Sequence, residues 1–111
     1  MRFETVRDYC LRKKDATEDF PFGETTLVFR VDGKMFALVG LDERPFWINL
    51  KCDPERAVEL REMYEGVRPG YHMNKRHWNT VVLDGTIPLK EIYSMIDHSY
   101  ELVVTGKRKK R

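Results

Sequence analysis

The residues best equipped for chemistry or ligand contact are concentrated between positions 71 and 80. Ten consecutive residues include two cations, two imidazoles, two amides and two large aromatic rings, in the order Tyr71-His72-Met73-Asn74-Lys75-Arg76-His77-Trp78-Asn79-Thr80. Lys and Arg bind phosphate oxygens, Arg also bidentately. Asn can read adenine edges, and Trp, Tyr and His stack on exposed bases. Because basic residues interleaved with aromatic ones are typical of nucleic-acid contact, this block predicts a DNA-binding surface.

The same side chains also have ordinary structural interpretations. Trp78 suits a core position in which its indole N–H finds a partner, and Asn74 and Asn79 suit the capping of turns. If the block binds DNA, the expected contacts are to the phosphate backbone from Lys75, Arg76 and His77, and to bases or sugars from Asn74, Asn79 and Trp78, with Tyr71 and His72 as further members of the surface. Both interpretations remain open at the level of the sequence.

A β-hairpin is the clearest local structure in the pattern. Two β-rich runs, 26–31 and 34–39, flank Asp32-Gly33, which suits a type I′ turn because both central residues take a positive φ. This turn predicts a register in which Phe29 faces Phe36 and Leu27 faces Leu38 on one core face. The second face is also rather apolar and is formed by Val28, Arg30, Met35, Ala37 and Val39.

Three cations near this hairpin are candidates for additional DNA contacts. Arg30 and Lys34 flank the Asp32-Gly33 turn, and Arg44 lies in the loop that follows the second strand. We expect these residues to act as wing contacts beside the block at 71–80.

Hydrophobic periodicity predicts the elements that must position these residues. Helices are expected at 2–14, from Asp53-Pro54 to Gly66, and from Pro88 onwards, and further strands at 46–51 and 80–83, with a loop at 15–23 and a turn at Pro69-Gly70. Cys10 is expected in the core and His98 on the surface. Antiparallel hairpins with helices gathered mainly on one face indicate an α+β domain.

Length and charge narrow the possible classes of protein. The chain has 111 residues, enough for one domain, and a net charge of +2. Residues 107–111 read Lys-Arg-Lys-Lys-Arg, so residues 1–106 hold 15 Lys and Arg against 18 Asp and Glu, a charge of −3. We therefore expect one domain at 1–106 and a basic tail at 107–111. The short apolar runs exclude a membrane span, and two cysteines without a disulfide framework favour a cytoplasmic protein.

Several sequence blocks resemble the YjbR/MmcQ-like family. They are Phe20-Pro21-Phe22-Gly23, Val28-Phe29-Arg30-Val31, Gly33-Lys34-Met35-Phe36-Ala37, Leu50-Lys51-Cys52-Asp53-Pro54-Glu55, Pro69 to Val81, and Ser99-Tyr100-Glu101-Leu102-Val103. The resemblance implies a compact bacterial α+β domain with a frataxin-like (CyaY-like) layout. It also implies a double-wing arrangement of β-hairpins for which DNA binding is proposed. The basic tail exceeds what the family pattern requires, so the resemblance implies nothing about its role.

An enzyme and a metal site are weaker interpretations of the same residues. Cys52 precedes a helix N-terminus, where thiolates are favoured, and His72 and His77 could exchange protons. No Cys–His spacing identifies a nucleophilic motif, however, so we expect no catalysis. Frataxins bind iron through acidic clusters on the first helix, but here that helix is mainly basic. We therefore expect no metal and no cofactor.

A protein-interaction module is the main alternative to DNA binding. The apolar second face of the hairpin could pack on a partner or on a second copy of the chain. The sequence leaves monomer and homodimer open.

Overall fold

The computed structural model describes residues 3–109, and the side chains of residues 3–105. It contains three helices and six strands, in the order α1 (Phe3–Leu11), β1 (Ala16–Asp19), β2 (Thr26–Val31), β3 (Lys34–Gly40), β4 (Phe46–Lys51), α2 (Pro54–Met63), β5 (Val67–Pro69), β6 (Trp78–Leu83) and α3 (Leu89–Lys109). The strands form one antiparallel sheet in the order β1-β2-β3-β4-β6-β5. The predicted α+β class is confirmed.

The helices cover one face of the sheet, which we call the helix face. The large core lies between this face and the helices, and includes Val6 and Cys10 of α1 and Ile92 and Ile96 of α3, all fully buried. Cys10 is therefore a core residue, as predicted. No helix within residues 3–109 combines the length and hydrophobicity that crossing a membrane requires.

The opposite face of the sheet, the outer face, carries a smaller cluster. Val28, Leu38 and Trp78 are buried there, with Met35 and Met73 packed against them. The register puts Val28, Leu38, Asn49, Thr80 and Arg68 in one row across five strands, so these side chains share the outer face.

A β-bulge corrects the predicted hairpin register. The Asp32-Gly33 turn forms with positive φ at both residues, and Arg30 faces Met35 as expected. Beyond that pair the register shifts: Phe29 faces Ala37, and Phe36 is the extra residue on β3. The alternation then reverses, because one inserted residue moves every later side chain to the other face.

Three predicted positions change face as a result. Leu38 moves from the predicted core face to the outer face, while Ala37 and Val39 join the core under the helices. Ser99 of α3 completes the backbone hydrogen bonds at the bulge. Its hydroxyl donates to the Phe36 carbonyl and accepts from the Lys51 N–H at 2.9 Å.

Several element boundaries also differ from the sequence predictions. The first helix ends at Leu11, because Asp15 adopts a positive φ and the chain turns into β1, which was predicted as loop. The second helix begins as predicted, with the Asp53 carboxylate capping the Arg56 N–H, but ends at Met63 instead of Gly66. Met63, the last residue of this helix, is 66% exposed.

Three elements in the second half of the chain differ from the predictions: one strand is additional, one strand begins earlier, and the last helix extends further. Val67–Pro69 forms β5 where only a turn was expected, and β6 begins at Trp78, two residues early. The backbone of α3 continues to Lys109, past the predicted domain end at 106. The predicted basic tail at 107–111 lies outside the residues whose side chains are described.

Candidate nucleic-acid interface

Residues 70–77, which we call the crossing loop, lie over the outer face and are anchored by buried polar side chains. The Tyr71 N–H donates to the Thr80 hydroxyl at 2.8 Å, and the Asn49 side-chain amide donates to the Tyr71 carbonyl at 2.9 Å. Asn49 and Thr80 are both buried and hydrogen-bonded to each other. The loop is therefore tied to the sheet through its backbone, which leaves the Tyr71 ring outside the anchor.

The far end of the crossing loop is organised by an asparagine and an arginine. Asn74 Oδ1 accepts the N–H groups of Arg76 at 2.9 Å and His77 at 3.2 Å, which is the turn-capping role considered for Asn74. Arg61 of α2 donates to the carbonyls of Lys75 and Trp78. Sequence analysis missed Arg61, because nothing in the pattern of an amphipathic helix indicates a contact with a loop 14 residues away.

Trp78 and Asn79 are structural residues and are withdrawn from the predicted contact set. Trp78 is only 9% exposed and packs in the outer-face cluster with Val28 and Leu38. Asn79 is 2% exposed and faces α2, where its Oδ1 accepts from Arg61 Nε at 2.7 Å. Neither side chain offers a surface for base stacking or for base-edge hydrogen bonds.

Four side chains that are cationic or carry an imidazole remain exposed on the crossing loop. They are His72, Lys75, Arg76 and His77. Lys75 Nζ donates to the Gly70 carbonyl at 2.8 Å, which draws the loop closed on itself. Among the described residues, no hydrogen bond or ion pair engages the Arg76 guanidinium, so it is available to a phosphate.

The hairpin cations divide between two ends of the sheet. Ala37 faces Leu50 and Lys51 faces Trp78, so the start of β3, with Lys34, lies at the same end as the start of β6. Arg30 is at this end too, but its guanidinium pairs with Asp19 at 3.2 Å and donates to the Gly33 carbonyl. Its charge is therefore largely compensated. Lys34 is exposed at the hairpin tip.

Arg44 lies at the opposite end of the sheet, so it does not join Lys75 and Arg76. Gly40 faces Trp47, and the loop that carries Arg44 connects β3 to β4 at that end. The predicted convergence of all the cations on one patch is therefore wrong for Arg44. Its guanidinium carbon lies 4.0 Å above the Phe46 ring, and Nη1 donates to the Leu41 carbonyl at 2.9 Å.

Arg44 instead borders a groove on the outer face, which we call the β4–β6 groove. The groove has a volume of about 590 Å³, and the side chains that matter for its chemistry are Glu43, Arg44, Trp47, Arg68, Tyr71 and Asp84. The Tyr71 ring meets Trp47 edge to face, with centroids 5.7 Å apart, and the His72 ring lies 4.0 Å from the Tyr71 ring. The groove is thus continuous with the crossing loop. Arg68 was not predicted as part of a site because β5 was not predicted, and Trp47 was not because the pairing of β4 with β6 has no local signature in the sequence.

Cys52 and His98 occupy structural positions. Burial raises the pKa of the Cys52 thiol, which opposes the thiolate that a nucleophile needs. His98 is half-buried, which corrects its prediction as a surface residue, and its Nε2 accepts the Asp53 N–H at 3.1 Å. Burial and the nearby Arg56 charge lower the pKa of His98.

The apolar face proposed for protein contact is not exposed. Ala37 and Val39 lie in the helix-side core, and Val28 is fully buried within the outer-face cluster.

Within the described part of the chain, no group of three or more His, Cys, Asp or Glu side chains is arranged to hold a metal ion.

Known proteins with similar sequences and folds share most of this chain. The YjbR family model matches residues 11–102. The uncharacterized protein YjbR of Escherichia coli K12 is 36% identical over 94% of this chain and 88% of its own length. The uncharacterized protein YbdF of E. coli O157:H7 is 40% identical over 96% of this chain and 88% of its own length. A crystal structure of Deinococcus radiodurans protein DR2400 superposes with a TM-score of 0.86 at 41% identity, covering 90% of this chain and 76% of that one.

Proposed function

This chain belongs to the YjbR family, and we propose that it binds DNA, without catalysis, through the exposed side of the crossing loop. The observation that carries the proposal is the placement of Lys75 and Arg76, flanked by His72 and His77, on a loop whose backbone is fixed at both ends. A fixed loop loses little conformational freedom on binding, so its cations are presented to phosphates at low entropic cost.

The charge distribution sets the expected strength of this binding. Residues 1–106 carry a net charge of −3, so attraction to DNA comes from a local patch and not from the whole domain. If Lys75 and Arg76 each neutralise one phosphate, these two contacts contribute about −2 to the slope of the logarithm of affinity against the logarithm of salt concentration. Lys34, at the same end of the sheet, is the expected additional contact.

The proposal is tested by removing the two exposed cations of the crossing loop. We expect Lys75→Ala with Arg76→Ala to weaken binding of a labelled DNA duplex at low salt, and to reduce the salt slope by about 2. Arg12→Ala with Lys14→Ala is the matched control, because both residues are exposed on the helix side of the domain. Fluorescence anisotropy measures both quantities.

Two outcomes would contradict the proposal. Unchanged affinity in the Lys75/Arg76 variant would remove the crossing loop from the interface. Loss of all binding on deletion of residues 107–111 would show that the tail, and not the folded domain, holds the DNA. Retained binding with a smaller salt slope in the truncated chain is the expected result.

The two cysteines support the absence of catalysis, and they also support a cytoplasmic location, which we propose in addition. Cys10 and Cys52 are both buried, and neither forms a disulfide. Buried thiols with raised pKa values are poor nucleophiles, and unpaired cysteines are typical of reducing compartments.

Protein binding is retained as a second candidate because of two exposed aromatic rings. Phe20 and Phe22, in the loop between β1 and β2, are 50% and 64% exposed. Exposed aromatic side chains on a loop are suited to a protein partner or a second copy of the chain. Light scattering at increasing concentration tests self-association. A dimer that Phe22→Ser dissociates would favour this candidate, while a monomer would remove the homodimer.

A further inference from the structure

We propose that the β4–β6 groove binds a single unpaired nucleotide, so that the preferred nucleic-acid ligand is a single strand and not a duplex. The inference deepens the proposed DNA binding and rests on it. It concerns a different part of the outer face from the cations of the crossing loop, and involves residues that the sequence did not indicate.

The first argument is the size and shape of the groove. A volume of about 590 Å³ lies within the range typical of small-molecule sites, about 300–1,000 Å³, and suits one base with its sugar and phosphate. In a duplex the bases are stacked inside the helix, and a base enters such a site only after it is extruded. A single strand presents its bases without that cost.

The second argument is the pair of aromatic rings in the groove. Trp47 is held in place over Gly40, where an added Cβ would come within 2.3 Å of the indole ring, so only glycine allows this position. The Tyr71 ring packs edge-on against Trp47, yet 49% of Tyr71 remains exposed. A positioned ring with exposed surface is the kind of platform on which unpaired bases stack, whatever their sequence.

The third argument is the mixture of charges. Arg44 and Arg68 supply guanidinium groups for a phosphate, while Glu43 and Asp84 supply carboxylates that accept from the exocyclic amine of a base. Thr86 donates two hydrogen bonds to Asp84 Oδ1, and these bonds lower the pKa of the carboxyl, so Asp84 is ionised at neutral pH. A bare anion would be repelled by the carboxylates, whereas a nucleotide matches both signs.

The fourth argument is continuity with the crossing loop. Tyr71 borders the groove and also begins the exposed part of that loop, and the His72 ring lies beside it. A strand with one base in the groove can therefore place neighbouring phosphates near Lys75 and Arg76. Because Tyr71 is anchored through its backbone, its ring can be removed without breaking the anchor.

The test compares four probes by anisotropy and competition. They are a labelled oligo(dC) of about 10 nucleotides, a duplex of the same length, cytidine monophosphate and inorganic phosphate. We expect the single strand to bind at least about tenfold more tightly than the duplex, because the groove holds an unpaired base. Cytidine monophosphate should displace it, and inorganic phosphate at the same concentration should not.

Two variants locate the binding in the groove. Tyr71→Leu and Arg68→Gln should each weaken oligo(dC) binding by about tenfold, and Arg68→Gln, which lies outside the crossing loop, should leave duplex binding within about twofold. Phe22→Leu and Arg12→Gln are the matched controls, because they change an exposed ring and an exposed guanidinium outside the groove. Unfolding in urea checks that each variant is folded.

The outcomes separate this inference from the proposed function. Equal affinity for single strand and duplex, with both unaffected by the groove variants, would overturn the inference and leave DNA binding through the crossing loop intact. Competition by inorganic phosphate as strong as that by cytidine monophosphate would also overturn it. Absence of binding to either nucleic acid would overturn both proposals. Cytidine monophosphate binding without oligonucleotide binding would likewise overturn the single-strand inference, because the groove would then take only free nucleotides.

Discussion

Asn49 and Thr80 face each other across β4 and β6 and between them hold both backbone polar groups of Tyr71. The two side chains also hydrogen-bond to each other, so every polar atom in this group has a partner inside the protein. Within the described residues, no buried side-chain nitrogen or oxygen lacks a hydrogen bond. The crossing loop is thus fixed to the sheet by buried hydrogen bonds, although most of its side chains are exposed.

Replacing Thr80 tests the anchor of the crossing loop. Thr80→Val keeps the shape of the side chain but leaves the Tyr71 N–H and Asn49 Oδ1 without their partner. We expect a loss of about 2 kcal/mol in the free energy of unfolding, and faster amide exchange at Tyr71. Thr17→Val, at an exposed position on β1, should change stability by less than about 0.5 kcal/mol. Equal urea midpoints for the two variants would contradict the anchoring role.

Replacing Ser99 tests the support of the β-bulge. Ser99→Ala removes the partner of the Phe36 carbonyl and of the Lys51 N–H, and Ser99 is fully buried. We expect a cost of about 2–3 kcal/mol in urea unfolding, because buried backbone groups are left unpaired. Ser94→Ala on the same helix, where the hydroxyl accepts from half-buried Arg56, should cost less. A larger loss for Ser94→Ala would refute the assignment.

His98 predicts a defined dependence of stability on pH. Its neutral ring accepts the Asp53 N–H, and burial lowers its pKa from the ordinary value of 6.5, with Arg56 adding to the effect and Asp53 opposing it. The unfolded chain therefore binds the proton more readily than the folded one. The stability from this group is complete above about pH 6.5, and is lost as the pH falls through the folded-state pKa.

The His98 contribution is measured by comparing two glutamine variants. His98→Gln retains a side-chain acceptor but does not titrate, so its melting temperature should decline less between about pH 7 and about pH 5 than that of the parent protein. His77→Gln, at an exposed position, should keep the parent's pH dependence. An unchanged acid response in His98→Gln would exclude this histidine as its source.

The cysteines predict slow thiol chemistry in the folded state. Burial raises the pKa of Cys10 to about 12 and also raises that of Cys52. We expect neither thiol to react with Ellman's reagent at neutral pH on the timescale of minutes, and both to react after unfolding in urea. In the Cys10→Ser variant Cys52 is the remaining cysteine, so its reaction with the reagent can be followed by itself. Rapid modification of folded Cys10→Ser would restore Cys52 as a candidate nucleophile.

The hairpin shows how far sequence patterns determine this fold. The Asp32-Gly33 turn and the first two residue pairs follow from local turn geometry, which the sequence carries directly. The bulge at Phe36 does not, because it depends on Ser99, which lies 63 residues away and fills the gap in the strand pairing. Both faces of β3 are apolar, so the hydrophobic pattern could not reveal that the alternation reverses.

Only part of the candidate site could be predicted, because several of its residues are placed by contacts that are distant in the sequence. The block from Tyr71 to Thr80 was singled out by its composition, but several of its side chains make their contacts inside the protein. Trp78 and Asn79 sit on opposite faces of a strand covered on both sides, and sequence alone does not show that a loop covers the second side. Arg61 and Arg68 come from elements whose contacts are long-range, and such contacts have no local signature.

The two strands at the margins of the sheet have a consequence for self-association. The edge strand β1 has only four residues, and two of them form ion pairs: Glu18 with Arg7, and Asp19 with Arg30. The other edge strand, β5, has three residues and ends at Pro69, which lacks an N–H. Neither margin offers a long row of unpaired donors and acceptors to a strand from another molecule. Short strands at both margins therefore disfavour growth of the sheet from chain to chain, towards fibrils or a continuous-sheet dimer.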